Sequence, residues 1–401
     1  LTGLHTNAHG VTRNNARLFK PGVTFATQMR KRNYHTVFAG KYLNAYEFLS
    51  DKTPTGWSRF HGMGGDSYNY PLWSNGRREF HGRKPRDYST DVIRRKVLAS
   101  IRTAPRKKRL LALITPWASH VPRTPAPRHR NDPRCEGIPR WKPANFMEAN
   151  VRDKPAYIRR APITQTKGYG LRKICRTMLS VDQLLAGVVR ELKKQGRYNN
   201  TLFILTADNG MNFGAHRLLE DKKTPFATQL PFYVAWPKVL GSQPRQINER
   251  LQNIDLAPTL CQLAGCRMGP YPTGQRRADG RSFAGLLLGT RKAVWRGAVL
   301  SSFRTPGARV PRWYAVTTTR HSRLADRRCA SASEGGCRWT FVRYETGETE
   351  LYDLSNGPCH TWKKGQPGDP CRLENLARKP GYAGIRAEMS RLLKAQVKAS
   401  R

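Results

Sequence analysis

Residues 180–210 constrain the fold more than any other stretch. Val181, Leu184, Leu185, Val188, Val189 and Leu192 recur with the 3.6-residue period of an amphipathic helix. Ser180 offers an N-cap ahead of them and Gly196 a stop behind them. A short turn leads into the apolar run 202–206, which ends abruptly in Asp208, Asn209 and Gly210. A helix, a short connection and an apolar strand in this order belong to a sheet with helices on its faces. The fold class this predicts is α/β.

Other segments follow the same grammar. Residues 23–32 read as a short helix, and "YHTVFAGKY" (34–42) as a strand ending at Gly40 and Lys41. Residues 91–102 read as a helix, 110–116 and 231–237 as buried strands, and 253–265 as a loop opening a helix. Residues 44–88, rich in Gly, Trp, Tyr and Asn, read as ordered loops and short hairpins. The Pro- and Arg-rich stretch 121–162 has no period and reads as irregular. The pattern changes near Trp295: "WYAVTTT", "RWTFVRY" and "ELYDL" read as consecutive strands, and a helix follows over about 383–398. The expected architecture is a mostly parallel sheet flanked by helices over residues 1–294. A small antiparallel α+β subdomain follows over 295–401.

The chain carries 72 Lys and Arg against 27 Asp and Glu, a net charge of +45. Such a balance marks either a polyanionic partner or an arginine bias spread over the surface. The basic residues are scattered, apart from clusters such as 106–109, which favours the bias. No zinc-finger, RRM or bZIP spacing appears, so nucleic acid is not an expected partner. No apolar run approaches the roughly 18 residues of a membrane span. The eight cysteines form no CxxC pair, which argues against a zinc ribbon or thioredoxin-like site. Four of them fall in the last quarter, a distribution suited to disulfides in an oxidising compartment. Proximity pairs Cys359 with Cys371 and Cys329 with Cys337. Asn199-Asn200-Thr201 is an acceptor sequon for N-glycosylation at Asn199. The chain opens at Leu1 without an initiator Met or a leader, and reads as an internal piece of a longer product.

Polar residues gather where the strands end, and ligands of open α/β sheets bind there. The first strand ends in Gly40-Lys41, the second leads to His120, and the third ends in Asp208-Asn209-Gly210. Asp208 and Asn209 supply adjacent hard oxygens of the kind that hold calcium or magnesium, although the same residues also build plain turns. Lys41 can meet an anion as a point charge or lie along the surface. His120 can donate a proton or brace a loop. Lys222 and Lys223 can be a solvated pair, and His216 a ligand or a brace. Each has an ordinary reading alone; their common position after strand ends joins them.

The segments "LTGLHTNAHGV", "VFAGKYLNAY", "TPTGWSRF", "MLSVDQLL", "YNNTLFILTADNG", "NIDLAPTLCQLAG" and "ELYDL…ENLA" resemble, in order, those of the sulfatase family of the alkaline-phosphatase-like superfamily. The likeness is to its N-acetylglucosamine-6-sulfatase and heparan-type members. It implies a sulfuric ester hydrolase acting on a sulfated sugar or glycosaminoglycan, in the secretory pathway, lysosomal or extracellular. It assigns Asp208 and Asn209 to a divalent metal, usually Ca2+, and Lys41 to the sulfate. His120 and Lys222 are implied to hold sulfate and assist the leaving oxygen. Lys52, in the loop beyond, is expected to matter little.

The chain departs from the family at several points. The family's formylglycine arises from a C/S-x-P-x-R segment just ahead of "LTG", and its Asp-Asp metal pair also lies upstream. This chain contains neither, so as given it is expected to be inactive and to bind calcium poorly. Leu43 stands where many relatives carry a histidine, and "FATQLP" lacks the acid and arginine usual there. Two other readings stay open: a phosphoesterase of the same superfamily, or a non-catalytic polyanion-binding protein.

Overall fold

A computed structural model describes all residues except 47–52, 273, 275–276, 291–294, 306, 323–337, 356–358, 364–365, 367 and 401. Lys52, Cys329 and Cys337 lie outside the described residues. Two short helices, α1 (Thr6–His9) and α2 (Phe25–Arg30), precede the central strand β1 (Tyr34–Lys41). Thr24 and Thr27 cap α2 reciprocally, each side chain accepting from the other's backbone N–H. Strand β2 (Arg59–Met63) runs parallel to β1, with Val37 opposite Arg59 and Lys41 opposite Met63. Strands β3 (Tyr70–Ser74) and β4 (Arg77–His81) extend the sheet antiparallel. The Asn75-Gly76 turn between them has positive φ at both residues, the turn that matches strand twist. After α3 (Ser89–Arg102), strand β5 (Arg109–Thr115) returns parallel to the other edge of β1. The order is β4-β3-β2-β1-β5. The parallel core is thus continued by a hairpin, and β2 is a parallel sheet strand in a region read as loops and hairpins.

Helix α4 (Ala156–Arg159) breaks the irregular stretch, and α5 (Arg172–Lys194) then covers one face of the sheet. Its Leu184, Val188 and Leu192 pack with Val92, Ile93 and Val97 of α3 and with Val37 and Ala39. The sequence placed an N-cap at Ser180, but α5 begins at Arg172 and Ser180 is wholly buried in its middle. The extra turns are held from outside the period: Cys175 is bonded to Cys135, and Ile174 packs on the Trp141–Phe146–Tyr169 cluster.

Strand β6 (Phe203–Thr206) follows, then the small hairpin β7 (Asn212–Phe213) and β8 (Leu219–Asp221), then β9 (Phe232–Ala235), antiparallel to β6. Helices α6 (Pro237–Leu240), α7 (Leu256–Leu263) and α8 (Ala284–Leu287) follow. The opposite face of β1 packs Phe38 with Phe25, Phe60, Trp73 and Ala257. A second, antiparallel sheet contains β10 (Ala298–Phe303), β11 (Trp313–Thr318), β12 (Trp339–Tyr344) and β13 (Thr349–Asp353) in that order. Met389 and Leu393 of α9 (Ala383–Ala399) pack on Val316, Phe341 and Leu351.

A charged, largely buried layer joins the two sheets. Lys154 is completely buried, and its Nζ donates to Asp153 at 2.9 Å and to the Leu373 carbonyl at 2.7 Å, with Glu148 at 3.4 Å. Asn145 donates to the Cys371 carbonyl at 3.0 Å, and Arg372 to that of Pro225 at 2.8 Å. The Cys359–Cys371 disulfide forms as proximity suggested.

Candidate active site

Chain turns follow the carboxyl ends of β1 and β5, neighbours in the central sheet, and of β6, which pairs with β9 in a separate two-stranded sheet. At the first, Gly40 has φ 129°, and a Cβ there would come within 2.1 Å of the Thr115 carbonyl oxygen. Only glycine lets β1 and β5 stay paired at this point. Thr115 Oγ1 then donates to the Lys41 carbonyl at 2.7 Å, fixing where the lysine leaves the strand. The half-buried Lys41 ammonium sits 5.1 Å from the centre of the Trp117 ring. Burial lowers its pKa, the nearby Lys222 ammonium lowers it further, and the Asp208 carboxylate acts the other way. Lys41, Lys222 and Asp208, far apart in sequence, are therefore within electrostatic reach of one another.

At the second turn, His120 stacks on Trp117 with ring centres 4.0 Å apart, and its Nδ1 lies 2.9 Å from the Val121 carbonyl. Nε2 makes no hydrogen bond among the described residues. Gly65, past the end of β2, approaches Trp117 so closely that a Cβ would fall 2.3 Å from the ring. Behind His120, Glu220 pairs with Arg123 at 2.5 Å and accepts from the Tyr169 hydroxyl. Burial alone would raise the Glu220 pKa, but the Tyr169 and Arg123 hydrogen bonds and the charges of Arg123 and His120 outweigh it and lower it. Sequence reasoning missed this Arg123–Tyr169–Glu220 group. Its nearest signals were Arg123, three residues past His120, and Glu220, two before Lys222.

At the third turn, Asp208 is exposed and its Oδ1 accepts from Asn209 N–H at 2.9 Å. Asn209 Nδ2 donates to the Gly210 carbonyl at 2.9 Å, so the amide nitrogen is occupied and the side-chain oxygen faces elsewhere. Asn253, ahead of α7, donates to the Asp208 carbonyl at 3.2 Å. Gly210 lies against the Ala227 carbonyl, which a Cβ would approach to 2.5 Å. The donors are of the right chemistry for a hard cation, one carboxylate and one amide oxygen. They are too few, since calcium takes about six to eight oxygens. Among the described residues no group of three or more His, Cys, Asp or Glu could hold a metal.

His216 stands apart. It is wholly buried, with Nδ1 2.6 Å from Glu148 and its ring 4.3 Å from that of Phe226. Burial, with Lys154 and Arg372 nearby, lowers its pKa to about 3. Of its two sequence readings, the brace is the one the structure supports. Asn199 is exposed in a single turn before β6.

A mixed sheet with helices on its faces and a second antiparallel sheet make up an alkaline-phosphatase-like architecture. Solved structures share it. One is a protein in complex with its substrate D-glucosamine-2-N,6-O-disulfate, at TM-score 0.70 and 21% identity, covering 100% of this chain and 86% of that one. Another is the phosphonate monoester hydrolase of Silicibacter pomeroyi, at TM-score 0.61 and 19% identity, covering 100% and 85%. The chain belongs to the sulfatase family: the profile described as Sulfatase matches residues 1–266, and one described as N-sulphoglucosamine sulphohydrolase, C-terminal, matches 214–326. It is 33% identical to the N-acetylglucosamine-6-sulfatase of Bos taurus over 304 residues, 72% of this chain and 52% of that protein. It is 30% identical to the extracellular sulfatase SULF-1 homolog of Drosophila melanogaster, over 73% of this chain and 27% of that protein. The chain thus spans about half the length of the first of these relatives.

Proposed function

We propose that the chain belongs to a sulfuric ester hydrolase that removes sulfate from a sulfated amino sugar, as an N-acetylglucosamine-6-sulfatase does. The supporting observation is that Lys222, just past β8, lies within electrostatic reach of Lys41 at the end of β1, where burial has already lowered the pKa of Lys41. Two ammonium groups in a partly dry setting suit a compact anionic group, such as the single negative charge that a sulfate monoester spreads over three oxygens, better than solvent alone does. Lys41 would hold the sulfate, and His120 and Lys222 would hold it and protonate the departing alkoxide. Asp208 and Asn209 would contribute two oxygens to a divalent cation, Ca2+ in our reading, and the remaining ligands would come from elsewhere. The cation, when bound, would neutralise charge on the sulfate oxygens. The disulfides Cys135–Cys175 and Cys359–Cys371 and the exposed Asn199 sequon support a secretory, lysosomal or extracellular setting and glycosylation at Asn199.

Charge on the sulfate persists into the transition state, so a lost contact costs turnover as well as binding. Lys41→Ala, in a protein in which the C/S-x-P-x-R segment precedes Leu1, should lower kcat/KM on a 6-sulfated glucosamine about a hundredfold, on the order of 3 kcal/mol. The exposed Lys194→Ala should leave it unchanged. Equal behaviour of the two would remove Lys41 from the site. Residues 1–401 alone should bind calcium weakly in calorimetry, and tight binding would contradict the ligand count.

The likeness to a phosphonate monoester hydrolase supports a second reading, a phosphoester substrate. Comparing sulfate and phosphate esters of one sugar separates the two.

A further inference from the structure

We propose that Cys261 and Cys266 form a disulfide that locks the end of α7, a modification independent of the catalytic reading above. The helix ends in a Schellman motif. Gly265 adopts φ 74°, its N–H donates to the Gln262 carbonyl at 3.1 Å, and the Cys266 N–H donates to the Cys261 carbonyl at 2.7 Å. This hydrogen-bond pattern turns the side chains of the third-last helical residue and of the residue after the glycine toward each other. In most proteins an apolar contact fills that position. Here both residues are cysteines, and their Sγ atoms are 2.7 Å apart. That separation is well inside the roughly 3.5–4.0 Å at which non-bonded heavy atoms rest. The backbone of the motif therefore already supplies the approach that a bond requires.

The surroundings favour the oxidised form. Both residues are buried, in a cluster with Phe25, Met29, Phe38 and Met268. The Met268 thioether lies 3.5 Å from Cys261 Sγ. Formation converts two thiols to one S–S bond, releasing two protons and two electrons. The electrons pass by thiol–disulfide exchange to an external protein disulfide, which leaves as a dithiol. Cys135–Cys175 and Cys359–Cys371 need the same class of oxidant. Because the pair is buried, exchange occurs before α7 closes onto the core. The bond would hold the far end of a helix whose approach carries Asn253, the donor to the Asp208 carbonyl.

Trypsin releases both cysteines in one peptide, residues 251–267, between Arg250 and Arg267. The test is mass spectrometry of protein secreted through an oxidising compartment, unfolded and alkylated with iodoacetamide before digestion. The expected peptide carries no alkyl group and is two hydrogens lighter than the dithiol; after reduction it takes up two alkyl groups. Alkylation of both residues before reduction, in a sample where Cys135–Cys175 is intact, overturns the proposal. A cross-link from either residue to another cysteine overturns it too. As a second readout, Cys261→Ala/Cys266→Ala should lower Tm by a few degrees, and treatment with reductant should lower the wild-type Tm further than that of the double variant. Equal responses to reductant would also overturn it.

Discussion

Glu148 and His216 meet in an interior that favours neither charge. Burial is the largest influence on both: it raises the Glu148 carboxyl to about 7 and lowers the His216 imidazole to about 3. At neutral and mildly acidic pH the 2.6 Å contact joins a neutral histidine to a carboxyl that gains its proton near pH 7. A raised carboxyl pKa means that the folded chain keeps a proton the unfolded chain has released. The stability this carries is complete below about 4.5 and gone once pH has risen through 7. His216 acts in the opposite sense, with its contribution complete above 6.5 and lost as pH falls toward 3. Between about 4.5 and 6.5 the two slopes oppose each other. Glu148→Gln removes one of them. The variant's stability relative to wild type should therefore climb by on the order of 3 kcal/mol between pH 4.5 and 7. Urea unfolding across that range measures it, and parallel profiles for the two proteins would refute the pairing.

At the level of elements, β1 depends on one glycine. An alanine at Gly40 would have to hold φ 129° and place its Cβ 2.1 Å from the Thr115 oxygen. Gly40→Ala should cost at least about 2 kcal/mol and lower affinity for any ligand that Lys41 holds. Loss of stability without any change at Lys41 would separate the strand from the site. The same strand shows what was readable. Strands β1, β5, β6 and β9 announce themselves as apolar runs closed by Gly, Pro or Asp, and the residues just past them were visible as candidates. Lys41, His120 and Asp208 are local in that sense. The start of α5 was not readable, because a disulfide and the packing of Ile174 extend it beyond its apolar period. Arg59, Phe60 and His61 of β2 alternate no better than a loop, and their strand character comes from β1 beside them. The Arg123–Tyr169–Glu220 group draws on three distant segments that no spacing links.

For the whole molecule, the surplus of 45 positive charges acts against compaction. Salt screens repulsion over about 10 Å at 0.1 M, so Tm should rise between low and moderate ionic strength with chloride and sulfate alike. A Tm that falls in both salts would mean that ion pairs such as Arg128–Asp91 outweigh the repulsion. The layer between the sheets is a different matter, since the Lys154 and Glu148 side chains there are buried and screened much less. Lys154 and Asp153 belong to the segment ahead of α5, while the Leu373 carbonyl and Asn375 that they bond follow β13. Lys154 keeps Glu148 and Asp153 within its own half, but its bond to the Leu373 carbonyl and the bonds between Asp153 and Asn375 cross between the halves. A recombination crossover near residue 295 would leave Lys154 and Asp153 without the Leu373 carbonyl and the Asn375 amides that complete their bonding. The two sheets are distinct as shapes, but in evolution or in a library of chimeras they can be exchanged only as one cassette.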